Sequence, residues 1–302
     1  MNECLAILLA AYPLVLSAIA IYWQLSGRYR SRSAWAIRTM AASSITVFAY
    51  LAAPWAFTSY YLRFILLGIF AAVCCYSYWR TTRRLLLVHA SNISSRAPSV
   101  ILLLLFVGLN LSAVSPHYYR AESLGVSFPL ASGSFYVLQG GQSFATNPFH
   151  VLADSSHALD IVKLNAFGNR ANGIAPRELT DYMIFGEQLR SPCAGSIRNM
   201  RDGLPDNRPG EPDVGRPEGN YIVLSCSGID VLLAHLRRDS IRVRAGQRVA
   251  QGELLAKVGS SGNSMEPHLH IEAKRNSKGI GLVFDERVLS TNSLVRDDRV
   301  YP

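Results

Sequence analysis

Acidic residues are almost missing from the first 115 positions. Glu3 stands alone there against nine arginines (Arg28, Arg30, Arg32, Arg38, Arg63, Arg80, Arg83, Arg84 and Arg96), a local balance of +8. The 302-residue chain carries +9 in total, so the remainder, with 21 basic and 20 acidic side chains, is close to neutral. A basic nucleic-acid-binding face on the C-terminal part is therefore excluded. Cysteine is also scarce. The five present show no CxxC spacing, which excludes a disulfide framework and a thiolate metal site. Cys4, Cys74 and Cys75 fall in apolar runs, where a thiol behaves as a small hydrophobe. Cys193 and Cys226 lie where a single bridge is permitted if that part of the chain is outside the cytoplasm. Several catalytic signatures are absent too. There is no GxSxG elbow, HExxH helix, Walker loop or Rossmann glycine pattern, and "GSSGNS" lacks the lysine that a phosphate loop requires.

What the N-terminal part does have is long apolar runs. Four approach the roughly 20 residues of a spanning helix: about Leu5 to Tyr22, Thr39 to Phe57, Tyr60 to Trp79 and Ser99 to Ser115. The first lacks the basic flank of a signal peptide, and more runs follow where a mature domain would begin. Almost no charge appears on any face of these runs, unlike buried helices of a soluble bundle. Arg28, Arg30 and Arg32 separate runs one and two, and Arg80, Arg83, Arg84 and Arg96 separate runs three and four. Basic loops face the cytoplasm, so four spans put everything after Ser115 on the other side. The expectation is an α-helical transmembrane bundle over residues 1–115 and an extracytoplasmic domain over 116–302, in the cytoplasmic membrane. The spans lack the paired charges of an ion pathway, which argues against a channel.

Beyond Ser115 the pattern changes to short β-type runs. "PHYYRAESLGVSFPLASGSFYVLQGGQSF" mixes aromatics, Gly and Ser as a strand-rich entry segment does. Downstream, "ALDIVKL", "GSIRNM", "NYIVLSC", "DVLLAHL", "DSIRVRAGQRVAQGELLAKVG" and "LHIEAK" are separated by Gly, Asn, Asp and Pro, with a close spacing that favours an antiparallel sheet. Arg201 to Asn220 is a long polar Pro/Gly loop, either a binding wall or lid or simply a tolerated insertion.

Six histidines follow the last run: His117, His150, His157, His235, His268 and His270. His117 sits beside the last span among aromatics and reads as interfacial. In a strand, residues i and i+2 share a face, so His268 and His270 in "EPHLHIEA" point the same way, with Glu272 next. Asp160 opens an apolar strand between Leu159 and Ile161, where a carboxylate is costly unless paired or bound to a metal. One Asp and two His with an open fourth position make a catalytic zinc donor set.

The segments "APRELTDYMIFGEQLRSPCAGSI", "GNYIVLS" and "LLAHLRRDSIRVRAGQRVAQGELLAKVGSSGNSMEPHLHIEA" resemble the lysostaphin-type zinc endopeptidases, which cut the peptides of bacterial peptidoglycan. The likeness runs from about Gly140 to Ala273 and is most specific from Ala234 onward. It implies a mostly-β, lysostaphin-like domain of the duplicated-hybrid-motif type, a Zn2+ cofactor, and peptidoglycan as partner. By position it implies that His270 and Asp160 are metal ligands, with His268 as general base or transition-state stabiliser and His235 as a second unliganded histidine. The family's common HxxxD pattern is broken here, because only two residues separate His157 from Asp160. A subset of the family takes the first ligand from an upstream loop with an Asn and a His. "TNPFHVLADSSHALDIV" resembles that arrangement, which favours His150 as the ligand and keeps His157, brought round by a bulge, as the alternative. The functional expectation is a membrane-tethered zinc endopeptidase acting on peptidoglycan cross-links or stem peptides. The rival is an inactive wall-binding module that activates other hydrolases.

Overall fold

The structure, a computed structural model, describes residues 3–27, 29, 31–84, 96–115, 122–148, 150, 155, 157–296 and 299–301. Arg28, Arg30 and His117 lie outside the described residues.

Among the described residues four long α-helices form: α1 (Glu3–Ser26), α2 (Arg32–Ala52), α3 (Leu62–Arg84) and α4 (Ala97–Val114). Three of these, α1, α3 and α4, contain stretches long and apolar enough to cross a membrane. The sequence leads to an expectation of about four spans, and α2 is the helix that does not meet this criterion among the described residues. The second run is helical, but it starts earlier, at Arg32, and ends at Ala52, because extended Ala53 and then Pro54 stop it. Its start carries Arg32, Ser33, Arg38 and Thr39, which lowers its apolar character. The side chain of Ser31 caps it by accepting from the Ala34 N–H.

The helices are packed with small residues inside and large ones outside. Ala6, Ala10, Ala20, Ala41, Ala42 and Ala49 are buried, whereas Leu8, Ile19, Ile101, Leu104 and Leu111 are exposed. That distribution inverts the soluble pattern and suits helices that approach closely in an apolar solvent. At one end of the bundle, Arg38 donates to the Trp23 carbonyl and Arg80 to those of Leu25 and Gly27, satisfying the C-terminal carbonyls of α1.

The strands all follow. They are β1 (Ser123–Gly125), β2 (Ser134–Gln139), β3 (Leu159–Leu164), β4 (Gln188–Arg190), β5 (Gly195–Arg201), β6 (Tyr221–Cys226) and β7 (Ile229–Ala234). Then come β8 (Arg248–Val249), β9 (Leu254–Lys257), β10 (Leu269–Arg275), β11 (Lys278–Phe284), β12 (Arg287–Val288), β13 (Leu294–Arg296) and β14 (Arg299–Tyr301). The main sheet runs β14-β13-β2-β3-β10-β7-β6-β5-β8, with β11 branching from β10, and β4 pairs β9 separately. Pairing is antiparallel as expected, apart from the parallel contact of β1 with β11. Two tight hairpins set the register. Ser227 and Gly228 turn β6 into β7, and Asn276 and Ser277 turn β10 into β11, all four with positive φ.

One face of the central strands fills the core with Leu159, Ile161, Val231, Leu233, Leu269 and Ile271. On the other face of β3, Val162 and Leu164 pack with Tyr136, Leu294, Ala56 and Tyr60. The last two belong to the connection between α2 and α3, so that connection lies on the sheet. Cys193 and Cys226 are joined in a disulfide that ties the approach to β5 to the end of β6. The Arg201 to Asn220 loop is pinned along the 258–266 segment. Asn207, Gly210 and Asp213 donate backbone N–H groups to Ser260, Met265 and Gly262, and Asn263 donates to Pro217.

Candidate metal centre

β10 lies between β3 and β7, and the register places His270 opposite Asp160 on one side and Ala234 on the other. His235 is the next residue after β7, and His268 immediately precedes β10. Three strand ends therefore converge on one spot. The loop before β3 adds His150, whose Nδ1 lies 2.6 Å from the carboxamide oxygen of Asn147. Asn147 is itself fixed, donating from Nδ2 to the Ala158 carbonyl.

Asp160 is the hub. Its Oδ1 lies 3.1 Å from Nδ1 of His270 and 3.4 Å from Nε2 of both His150 and His268. Burial alone would raise its pKa, but the imidazoles of His150 and His268 and the hydrogen bonds from His268 and His270 hold it well below the usual range. Burial holds His150 below the usual histidine value despite the nearby carboxylate, which keeps it neutral and able to donate a lone pair.

The donor atoms of His150, Asp160 and His270 all lie within 4.8 Å of one another. Two imidazoles and one buried carboxylate, with no Lys or Arg among the described residues bridging them, are a set that one divalent cation satisfies, and zinc takes these ligand types. The residues therefore fit the implied metal.

His268 and His235 stand beside this group in a matching pose. Nδ1 of His268 donates to the Glu266 carbonyl at 2.8 Å, and Nδ1 of His235 to the Ser261 carbonyl at 2.9 Å. In each ring the Nδ1–H is committed to backbone, so Nε2 is the nitrogen left for chemistry. The two ring centroids are 4.6 Å apart. His235 adopts φ +60°, a left-handed conformation unusual for a non-glycine residue. It is held there because its N–H donates to the Glu218 carbonyl and its own carbonyl accepts from Gly259.

Every sequence-predicted site residue except one is brought together. His157 is the exception. Its Nδ1 accepts from Gln142 at 3.1 Å, and its ring lies against Gly279 and Gly281 of β11. Sequence reasoning noticed Asn147 only as a loop neighbour and missed its hold on His150. An Asn three residues before a histidine was the available signal. It also missed the pair formed by Arg170 and Glu266, for which the sequence carried no signal across 96 residues.

Residues 186–281 match the family model described as Peptidase family M23. A curated relative from Haemophilus influenzae, described as an uncharacterized metalloprotease, is 24% identical over 176 residues. That alignment takes in 57% of this chain and 32% of the relative, so the chain spans about a third of that protein's length. Among solved structures, a zinc-containing peptidase from Vibrio cholerae is 28% identical over 32% of this chain and 25% of its own, with a TM-score of 0.25. The catalytic domain of lysostaphin from Staphylococcus simulans is 21% identical over 34% of this chain and 79% of its own, with a TM-score of 0.23. The matched segment carries His270 on β10 and His235 and His268 at the ends of β7 and β10, so residues 186–281 are the part of this chain that matches Peptidase family M23, the lysostaphin-like family.

Proposed function

We propose that this protein is a zinc-dependent endopeptidase that cleaves peptide bonds in peptidoglycan cross-links or stem peptides while tethered to the cytoplasmic membrane. The observation that carries the reading is the convergence of His150, Asp160 and His270 beside two histidines whose Nδ1 atoms are already bonded to backbone. His150, Asp160 and His270 hold the metal. When bound, zinc supplies Lewis acidity, polarising a carbonyl and bringing the pKa of water towards roughly 7. Nε2 of His268, 3.4 Å from Oδ1 of Asp160, takes the proton from the attacking water and later delivers one to the leaving amine. Nε2 of His235, whose buried ring has its pKa pushed well down by desolvation and by its histidine neighbours, completes the polar lining for the developing oxyanion.

The peptidoglycan substrate rests on the family resemblance and on the placement of the site. Residues 1–115 form the membrane part, and 116–302 the domain on the periplasmic or extracellular side. All the donors expected of an active member lie together, which favours an enzyme over a binding module that has lost ligands.

The test is the purified full chain in detergent, with metal measured by elemental analysis and purified peptidoglycan digested and its fragments identified by mass spectrometry. One zinc per chain with new peptide termini is the expected result. A folded, zinc-reconstituted chain that releases no fragments would sink the enzymatic reading.

A further inference from the structure

The connection between α2 and α3, residues 53–61, is bonded to the turn that follows β3, residues 165–170, as if it were part of the sheet domain. The Tyr60 N–H donates to the Gly168 carbonyl at 2.9 Å, and the Ser59 hydroxyl to the Phe167 carbonyl at 2.7 Å. Asn169 donates to the Thr58 carbonyl, and the Arg170 N–H to the Ala56 carbonyl at 3.1 Å. Gly168 is needed for this approach. Its φ is +79°, and a Cβ there would meet the Tyr60 nitrogen at 2.9 Å.

Arg170 continues inward from this contact. It is 1% exposed, and its guanidinium lies 3.6 Å from the centroid of Phe57 in the same connection. Its Nε and Nη2 make a two-pronged pair with Glu266, each bond 2.7 Å. Glu266 is the residue whose carbonyl accepts Nδ1–H of His268, and the Ser264 hydroxyl donates to that carbonyl as well. The path from the helices to the imidazole is therefore four residues joined by three contacts: Phe57, Arg170, Glu266, His268.

We infer that the α2–α3 connection, acting through the Arg170–Glu266 pair, positions His268, so that the helices set how well the site turns over as well as where it sits. Arg170 and Glu266 are positioning residues that touch no reacting atom. A buried two-pronged pair fixes both the position and the tilt of the Glu266 backbone. Small misplacement of a proton-transfer group costs a large part of its rate. The inference deepens the peptidase reading and rests on it.

The experiment uses the full chain in detergent, with Gly168→Ala and Phe57→Ala to loosen the connection. Arg170→Lys keeps the charge but loses the fork. Arg177→Ala serves as a control, because it breaks an exposed contact with Glu3 at the same interface, away from Arg170. Each of the first three lowers kcat by ~10- to 100-fold with KM and zinc content unchanged, and shifts the Nδ1–H resonance of His268 in nitrogen-15 histidine-labelled protein. Arg177→Ala changes none of these. Variants that lose thermal stability yet keep kcat and the His268 resonance of the wild type would overturn the inference, leaving the contact as simple docking. If the wild-type chain binds zinc and cleaves nothing, the peptidase reading fails by itself. The resonance shift then still decides the coupling, since an unmoved signal in Gly168→Ala and Phe57→Ala refutes it.

Discussion

His150 and His157 differ by seven positions and compete for one role, and their surroundings separate them. His150 presents Nε2 to Asp160 because Asn147 holds its Nδ1, whereas His157 is turned towards Gln142 and β11. The expected outcome is that His150→Ala loses stoichiometric zinc and His157→Ala keeps it, read by elemental analysis of the two purified variants. His270→Ala and Asp160→Asn should lose metal and activity together, and His268→Ala should lose turnover with zinc retained. Asn147→Ala is the finer probe. It leaves the donors in place but frees the His150 ring, and outer partners of this kind are worth about 10- to 100-fold in metal affinity; a chelator competition titration gives the number. His268 and His270 were legible as a same-face pair from their spacing alone, and Asp160 from its apolar flanks. The route of His150 was not, because a loop residue's position depends on contacts such as that of Asn147 with Ala158, which no local period encodes.

At the level of elements, the strands carrying the site could be read because β3, β7 and β10 are apolar runs bounded by turn residues. β11 was not foreseen. "KGIGLVF" has two glycines and follows the turn directly, so it gave weak local signal, yet pairing with β10 and β1 makes it regular. The second helix was misplaced for a comparable reason. Hydropathy centred the run on Thr39 to Phe57, while Ser31 capping and the Pro54 stop moved the actual helix to Arg32–Ala52. The disulfide joins a strand approach to the end of the next strand, closing a loop with a sequence separation of 33. Bridges over such loops contribute about 2–4 kcal/mol, chiefly by restricting the unfolded chain. Replacing both Cys193 and Cys226 by Ala should therefore lower the thermal midpoint of the sheet domain without altering zinc content. A loss of zinc in that variant would mean that the bridge shapes the metal centre directly, which its position at the far end of β6 argues against.

Across the whole molecule, charge and connectivity bear on the proposed orientation. The α2–α3 connection lies on the sheet beside the site, so the ends of α2 and α3 that it joins face the same side as the metal centre. The opposite end of the bundle gathers Arg38 and Arg80 around the end of α1, with Arg96 reaching the Ser31 hydroxyl. Arginine at one end and the candidate metal centre at the other is the arrangement that the proposed extracytoplasmic placement requires, since basic loops prefer the cytoplasm. It predicts that a membrane-impermeant maleimide applied to intact cells modifies Val214→Cys, an exposed position in the long polar loop. Ser33→Cys, at the arginine-rich end, should react only after the membrane is permeabilised. Both reporters go into a chain whose exposed Cys4 and Cys75 and half-buried Cys74 are replaced by Ser, so that no native thiol competes. The reverse pattern would put the site in the cytoplasm, away from any wall peptide, and would remove peptidoglycan as its substrate while leaving the metal centre intact.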